Sequence, residues 1–240
     1  MQNDHPALPG IMDRISQAAL RSGRKEQAIT LVAVSKKKPI EAIVAAYEAG
    51  VRHFGENRAE ELEEKAKALQ DLHELKWHFI GNLQTRQSGI IARHAHYFHA
   101  IDRLKIAQRL SRQLTELNRN LSVFIQVNVS GEVSKSGFPC DQWQQQPEQS
   151  EALIQVCKEV AGLPGLNFLG LMTIAPFNAP EDTYREIFRT MAALSSYVGE
   201  QIPDLSAPHL SMGMSGDFEI AIEEGATYVR IGTAVFGPRE

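Results

Sequence analysis

The stretch that decides the fold is LVAVSKKKPIEAIVAAYEAG, residues 31–50. It opens with four apolar residues, which is typical of a strand that is buried on both faces. Pro39 ends the polar connection that follows. A helical stripe of apolar residues then runs through Ile40, Ile43, Val44 and Tyr47. With Gly50 as a common kind of helix stop, the stretch predicts one unit of strand, short loop and helix.

The same unit recurs along the chain. Candidate strands begin near residues 31, 52, 77, 97, 123, 168, 209 and 229, and a helical pattern follows each of them except the last. This alternation predicts an α/β fold with a parallel sheet, and eight units in about 250 residues match a closed (β/α)8 TIM barrel. The alternative is an open doubly wound sheet, but no GxGxxG turn follows the first strand. Residues 6–23 predict an extra helix before the barrel, and we expect residues 1–240 to form a single domain.

Composition excludes several classes of protein. Apolar residues make up 43% of the chain and charged residues 22%, which is typical of a globular protein. The formal net charge of −4 argues against a general binder of nucleic acid or of acidic membranes. Proline and glycine interrupt the apolar stretch 163–180, so it does not predict a membrane helix. The amino terminus lacks a secretory pattern, and the two cysteines, Cys140 and Cys157, have no CxxC spacing; we therefore expect a cytoplasmic protein with reduced thiols.

Polar and small residues follow the last two strands. In a TIM barrel, functional residues lie at the carboxyl ends of the strands, and the loops after strands seven and eight commonly bind phosphate. The loop SMGMSGD carries Ser211 and Ser215, and RIGT carries Gly232 and Thr233. Small residues allow backbone NH groups to approach an anion. The two loops therefore predict a phosphate site.

Lys36 follows the first strand and would face this phosphate site. A lysine there fits a Schiff base with a phosphorylated aldehyde, which requires a neutral amine at the moment of attack. If the segment is extended, Lys36 and Lys38 point to one side and Lys37 to the other, so that a neighbouring cation lowers the pKa of the reactive amine. The alternative interpretation is three solvated lysines that precede a helix.

Arg230 is predicted to point into the barrel. Val229 and Ile231 alternate with Tyr228 and Arg230, so if the first two face the helices, the other two face the interior. A buried arginine requires either a ligand or an acidic partner inside the barrel, and the residues alone leave both open.

Other motifs carry less weight. Asn57 is a candidate cap for the helix that begins near residue 58, and Glu61–Lys65 is an i,i+4 pair within that helix. The histidines His94, His96 and His99 lack acidic or cysteine partners, so we expect no metal site. The segment after strand five, which contains Lys135, fits either a basic loop that contacts an anion or a solvent loop.

Eight motifs together resemble a known family. They are AVSKKKP, HFGENR, WHFIGNLQ, IDRLKIA, VNVSGEVSKSG, GLMTI, LSMGMSGD and RIGTAVFG; they keep their order, and the match runs from about residue 29 to residue 238. This set resembles the pyridoxal phosphate homeostasis proteins, which are similar in fold to the barrel domain of alanine racemase. The chain departs from the family pattern at residues 85–87, where TRQ replaces an Asn-Lys pair, and at Lys37, which is more often uncharged.

The resemblance implies a ligand and roles for individual residues. The ligand is pyridoxal 5′-phosphate (PLP), and Lys36 is its Schiff-base lysine. Asn57 and Met172 lie near the cofactor, and Arg230 faces the pyridine nitrogen. Ser211, Ser215, Gly232 and Thr233 hold the phosphate region. The family carries or buffers PLP, with effects on vitamin B6 and amino-acid balance and with apo-PLP enzymes as its recipients.

A PLP-dependent enzyme of the racemase type is the alternative. An arginine beside the pyridine nitrogen disfavours protonation of that nitrogen, which weakens the cofactor as an electron sink. Racemases with this barrel add a β domain and a tyrosine base across a dimer, whereas this sequence ends soon after its eighth strand. A third alternative is a Schiff-base aldolase that acts on a sugar phosphate through the same lysine and phosphate loops. Such an enzyme usually carries its lysine on a middle strand of the barrel, whereas Lys36 follows the first. We therefore expect a monomeric PLP carrier that is not an enzyme.

Overall fold

A computed structural model describes residues 5–202 and 209–237. Within these ranges the strands are β1 Thr30–Val34, β2 His53–Glu56, β3 Lys76–Phe79, β4 Tyr97–Ile101, β5 Leu121–Asn128, β6 Phe138–Pro139, β7 Leu166–Met172, β8 His209–Ser211 and β9 Tyr228–Ile231. The helices are α1 Leu8–Arg21, α2 Ile40–Glu48, α3 Ala59–Ala68, α4 Ser88–His94, α5 Leu104–Glu116, α6 Pro147–Ala161, α7 Glu181–Gln201, α8 Phe218–Glu223 and α9 Thr233–Phe236. Residues 1–4 at the amino terminus, where no secretory pattern was expected, lie outside the described residues, as do residues 203–208 and 238–240.

Eight of the strands close into a parallel barrel. The order β4-β3-β2-β1-β9-β8-β7-β5 is completed by pairing between β4 and β5. Every pairing between these strands is parallel. The predicted (β/α)8 fold is therefore confirmed. The sequence pattern did not predict β6, which has two residues and pairs with the end of β5.

Helix α1, which the sequence predicted as an extra N-terminal helix, packs against α8. Its apolar stripe is buried at Leu8, Ile11, Ile15, Ala18 and Ala19. Two ion pairs link it to α8, with Arg14 to Glu219 at 2.6 Å and Arg21 to Glu223 at 2.6 Å. Because both pairs are largely exposed, burial of the apolar stripe is the larger contribution to docking.

Three details of the connections differ from the sequence prediction. Helix α3 begins after Arg58, and no side chain caps it, so Asn57 is not its cap. The predicted helix after β3 divides into a 3-10 turn at Thr85–Gln87 and α4. A short helix, α9, follows the last strand, where none was predicted. None of the helices in the described part of the chain is long and apolar enough to cross a membrane.

Candidate functional site

The predicted site residues lie on one arc of the barrel rim. Strands β2, β1, β9, β8 and β7 are consecutive neighbours, so their carboxyl ends form this arc. The residues at these ends are Asn57, Lys36, Arg230, Gly232, Thr233, Ser211, Ser215 and Met172. Ser211 pairs in register with Met172 on the neighbouring strand. Topology thus brings together residues that are up to about two hundred positions apart in the sequence.

The lysine segment is a turn, which corrects the expectation of an extended chain. Lys38 donates its backbone NH to the carbonyl of Ser35 at 3.0 Å. Lys37 has a φ of +59°, a left-handed conformation that costs a non-glycine residue roughly 1–2 kcal/mol. Because the backbone turns at this point, simple alternation does not set the directions of the three side chains. Lys36 is half-buried and Lys37 is exposed.

A buried ion cluster binds the backbone of this turn. Lys65 of α3 donates to the carbonyl of Ser35 at 2.8 Å, to Glu56 Oε1 at 2.8 Å and to Glu61 Oε1 at 2.7 Å. Ser35 Oγ also donates to Glu56 Oε1, at 2.7 Å, and the backbone NH of Lys37 donates to Glu61. The i,i+4 pair predicted between Glu61 and Lys65 is therefore present, but the lysine is buried. Sequence reasoning missed the cluster, because helical spacing shows the pair and not its burial.

Burial dominates the electrostatics of Glu56. Its carboxyl group is fully buried, and this raises its pKa above the ordinary value, while the Lys65 ammonium opposes the rise. Its second oxygen, Oε2, is buried with no hydrogen-bond partner in the described part of the chain. The stability of the turn before Lys36 thus depends on a charge that Lys65 compensates.

Arg230 points into the barrel, as predicted. Its guanidinium is buried, and it donates to Ser211 Oγ at 2.6 Å and to the carbonyl of Thr173 at 2.9 Å. These two contacts are to a hydroxyl and a carbonyl, not to a carboxylate. Burial lowers the pKa of Arg230 to about 10, and Asp217 opposes that shift. Among the described residues no carboxylate forms an ion pair with Arg230, so a direct acidic partner, one of the two alternatives left open by the sequence, is not observed there.

The two predicted phosphate loops contact each other. Ser215 Oγ accepts from the backbone NH groups of Gly232 at 3.3 Å and of Ala234 at 3.4 Å. Gly213, with a φ of +94°, allows this loop to pack closely, since a Cβ there would lie 2.7 Å from Ala221. The helices that follow, α8 and α9, have only six and four residues, so their dipoles contribute less than the sequence suggested.

The donors in these loops fit a phosphate group. Hydrogen bonds of 3.3 and 3.4 Å are longer than the usual 2.7–3.2 Å, so the NH groups of Gly232 and Ala234 are weakly satisfied by a neutral hydroxyl. A phosphate oxygen is a charged and stronger acceptor and would compete for them. A Cβ added at Gly216 would meet nothing within 4 Å, so the loop is open at this point.

The remaining predicted residues differ in exposure. Met172 is buried below the rim, whereas Asn57 and Thr233 are exposed. The backbone of Asn57 lies close to Gly81, where a Cβ would be only 2.3 Å from the Asn57 carbonyl oxygen. The carboxyl ends of β2 and β3 are thus packed backbone to backbone at the edge of the site.

Sequence reasoning also missed a set of histidines inside the barrel. His53, His78 and His99 lie on β2, β3 and β4, and hydrogen bonds connect them to Ser211. The tract that contains His94, His96 and His99 contributes only the last of these. Within residues 5–202 and 209–237 there is no group of three or more His, Cys, Asp or Glu placed to hold a metal ion. The alternation of inward-facing and outward-facing residues along β2, β3 and β4 was the signal that could have predicted these inward histidines.

Known proteins resemble this chain over nearly its whole length. The family model described as the alanine racemase N-terminal domain matches residues 13–240. Two relatives are called pyridoxal phosphate homeostasis protein. That of Vibrio cholerae is 42% identical over 100% of this chain and 98% of its own length, and that of Escherichia coli is 44% identical over 97% and 95%. The structure of PipY from Synechococcus elongatus with PLP bound has a TM-score of 0.78 at 34% identity, covering 95% of this chain and all of PipY.

Proposed function

The chain belongs to the family of pyridoxal phosphate homeostasis proteins, and from this premise we propose that it binds PLP on the rim arc and carries or buffers the cofactor. One observation of the structure carries the proposal most directly. Five adjacent strands place a half-buried lysine, a buried arginine and weakly satisfied backbone donors on the same side of one barrel rim. An aldehyde that carries a phosphate and a pyridine ring can be bound by these three kinds of group.

Lys36 is the residue that we propose to form the Schiff base with the aldehyde of PLP. The cluster around Lys65 holds the turn that presents Lys36, and it does so through the backbone of Ser35 and Lys37. Ser215, Gly232 and Thr233 are proposed to hold the phosphate with their hydroxyl and NH groups. When bound, the cofactor supplies an electrophilic carbonyl and a conjugated ring.

Arg230 is proposed to face the pyridine nitrogen, with Ser211 holding its guanidinium. A guanidinium retains its proton at neutral pH, so it donates a hydrogen bond and leaves the pyridine nitrogen unprotonated. An unprotonated ring is a weaker electron sink, which favours storage of the cofactor over carbanion chemistry. Met172 and Asn57 are proposed to line the remaining sides of the ring pocket.

An enzyme of the racemase type is the second candidate, because the matching family model is that of the alanine racemase N-terminal domain. The relatives that share 42–44% identity are called homeostasis proteins, which favours the carrier. We further propose that residues 1–240 form one PLP-binding domain, that the protein is a cytoplasmic monomer and that apo-PLP enzymes receive the cofactor.

Borohydride reduction tests the assignment of Lys36. The purified protein is loaded with PLP, reduced and digested, and the labelled peptide is identified by mass spectrometry. We expect the label on Lys36, and we expect Lys36→Ala to lose the absorbance band of the bound cofactor. Lys37→Ala is the matched control, because Lys37 is the exposed neighbour in the same turn. A label on another lysine, or a band that survives in Lys36→Ala, would refute the assignment.

Isotope exchange separates the carrier from the enzyme. The PLP-loaded protein is incubated with a panel of α-deuterated amino acids, and deuterium loss is followed by mass spectrometry. We expect exchange far below ordinary enzyme rates. Turnover of roughly 1 per second or more on any of these amino acids would overturn the carrier proposal. Transfer of PLP to an apo-enzyme, measured by recovery of that enzyme's activity, tests the carrier function itself.

A further inference from the structure

A continuous row of hydrogen bonds crosses the barrel interior. His53 Nδ1 lies 2.8 Å from His78 Nε2, and His78 Nδ1 lies 2.8 Å from His99 Nε2. His99 Nδ1 is 2.7 Å from Ser211 Oγ, which accepts from Arg230 Nη1 at 2.6 Å. The five residues lie on five different strands. We call His53, His78 and His99 the histidine column.

Aromatic rings enclose the column. His78 stacks on Tyr97 with ring centroids 4.1 Å apart and planes 3° apart, and His99 stacks on Phe124 at 4.6 Å. Tyr228 contacts both imidazoles. His78 and His99 are fully buried. Packing therefore locks the rings of His78 and His99, and their ring nitrogens face other polar groups of the row instead of water.

Burial favours the neutral form of all three imidazoles. Burial lowers the pKa of His78 and of His99 well below the ordinary value, and it also lowers the pKa of His53. Cations act on both ends of the column: Lys76 lowers the pKa of His53, and Arg230 lowers that of His99. Among the residues that the structure describes, no carboxylate is hydrogen-bonded to the column, so the neutral form of each ring, with one proton on either Nδ1 or Nε2, is favoured.

The guanidinium selects between these two positions. Arg230 only donates, so Ser211 Oγ must accept from it. If the Ser211 hydroxyl donates to His99 Nδ1, every hydrogen bond in the row runs in the same direction, and the acceptor end of each group faces the cation. The reverse arrangement would point an imidazole NH toward the cation and would leave the serine proton without the His99 acceptor. Aligned dipoles in a medium of low dielectric constant strengthen one another, which favours the first arrangement.

We propose that the histidine column is a set of neutral imidazoles, each protonated on Nε2, that positions the guanidinium of Arg230 through the Ser211 hydroxyl. The three histidines are positioning residues, since they act on Arg230 and not on the ligand. Their effect on cofactor binding rests on the proposed function, in which Arg230 faces the pyridine nitrogen. The direction of the hydrogen bonds does not rest on it and is a property of the ligand-free protein.

Nitrogen-15 NMR tests the direction directly. Long-range proton–nitrogen correlation on the uniformly labelled, ligand-free protein at pH 7 distinguishes the protonated ring nitrogen from the unprotonated one. We expect an Nε2–H pattern for all three column histidines, with assignments from single variants. An Nδ1–H pattern or a doubly protonated ring at any of the three positions would overturn the proposal.

Two variants of one residue test the positioning role. Asparagine carries an acceptor near the position of Nδ1, so His99→Asn keeps a partner for Ser211, whereas His99→Phe removes it. We expect His99→Phe to weaken PLP binding about five- to tenfold, which is the net effect of one buried hydrogen bond, and His99→Asn to restore most of that loss. The control is His73→Phe, which changes an exposed histidine. Equal affinity in the two His99 variants would refute the role.

A second readout reports on Arg230 itself. In the parent protein the hydrogen-bonded Nη groups should give separate resonances, because their rotation is hindered. We expect His99→Phe to average these resonances and His99→Asn to retain them, a contrast that loss of stability alone would not produce. Where His99→Phe does not fold, the Asn variant and the ligand-free parent decide the outcome. If the parent fails to bind PLP, the proposed function fails, while the nitrogen measurement still tests the column.

Discussion

Replacement of Lys65 by methionine tests the ion cluster beneath Lys36. The side chains of Lys65 and Glu56 are only 7% and 0% exposed, so the variant leaves a buried carboxylate without its cation. Breaking a buried pair in this way costs about 3–5 kcal/mol. The loss has an upper limit, because Glu56 can take up a proton and become neutral instead of remaining a buried, unpaired charge. From an ordinary pKa of 4.5, protonation at pH 7 costs about 3 kcal/mol.

The sign of the pH dependence follows from the same carboxyl group. In the folded protein burial raises the pKa of Glu56, and without Lys65 the rise is larger. A group whose pKa is higher in the folded state destabilises that state as pH rises above the unfolded value. Because the parent protein already carries part of this cost, we expect the loss in Lys65→Met to be at most about 3 kcal/mol at pH 7 and at most about 1 kcal/mol at pH 5.

Urea unfolding followed by circular dichroism at the two pH values measures this effect. The double variant Glu56→Gln with Lys65→Met should recover most of the loss at pH 7, because it buries no unpaired charge. Lys67→Met is the matched control: its partner Glu63 also lies at i,i+4, but this pair is on the surface, so the urea midpoint should not change measurably. A loss below about 1 kcal/mol at pH 7, or a loss that does not depend on pH, would refute the reasoning.

Three further predictions concern packing, thiol reactivity and the phosphate loops. Gly170→Ala should lower the free energy of unfolding in urea by at least about 3 kcal/mol. The reason is that the added Cβ would lie 2.0 Å from the His209 carbonyl oxygen on the next strand. A smaller loss would show that the two strands separate easily. Burial raises the pKa of Cys140 to about 12 and also raises that of Cys157. Neither thiol should therefore react with a disulfide reagent at pH 8 until the protein unfolds. Rapid reaction of the native protein would contradict this. Ser215→Ala should leave the fold intact and change the affinity for PLP more than the affinity for pyridoxal, measured by absorbance titration; an equal change for both would place Ser215 away from the phosphate.

Strand and helix alternation was sufficient to predict the barrel. The apolar run before Ser35 and the helical stripe after Pro39 are local properties, and each of the eight units repeats them. Because a parallel strand requires a crossover and a barrel presents its functional residues at one rim, the position of Lys36 and Arg230 at the ends of strands followed from the sequence alone. The direction of Arg230 followed from the alternation of β9.

The ion cluster around Lys65 and the histidine column could not be predicted in this way. Lys65 has the spacing of a surface ion pair, and only the packing of α3 against β2 and the turn after β1 buries it against Glu56. The left-handed conformation of Lys37 likewise depends on contacts with another element, so an extended segment was the wrong expectation. The i,i+4 spacing of an ion pair does not show whether another element will cover that pair.

The sequence by itself therefore determined the class of fold and the barrel rim at which the candidate residues lie, because these depend on periodicities of two and of about 3.6 residues. Tertiary structure alone decided which inward side chains touch. His53, His78 and His99 lie on three strands whose relative register is set by barrel closure, and Ser211 reaches His99 across 112 positions of sequence. Hydrogen bonds are sensitive to a few tenths of an ångström, and the closed barrel sets distances on that scale.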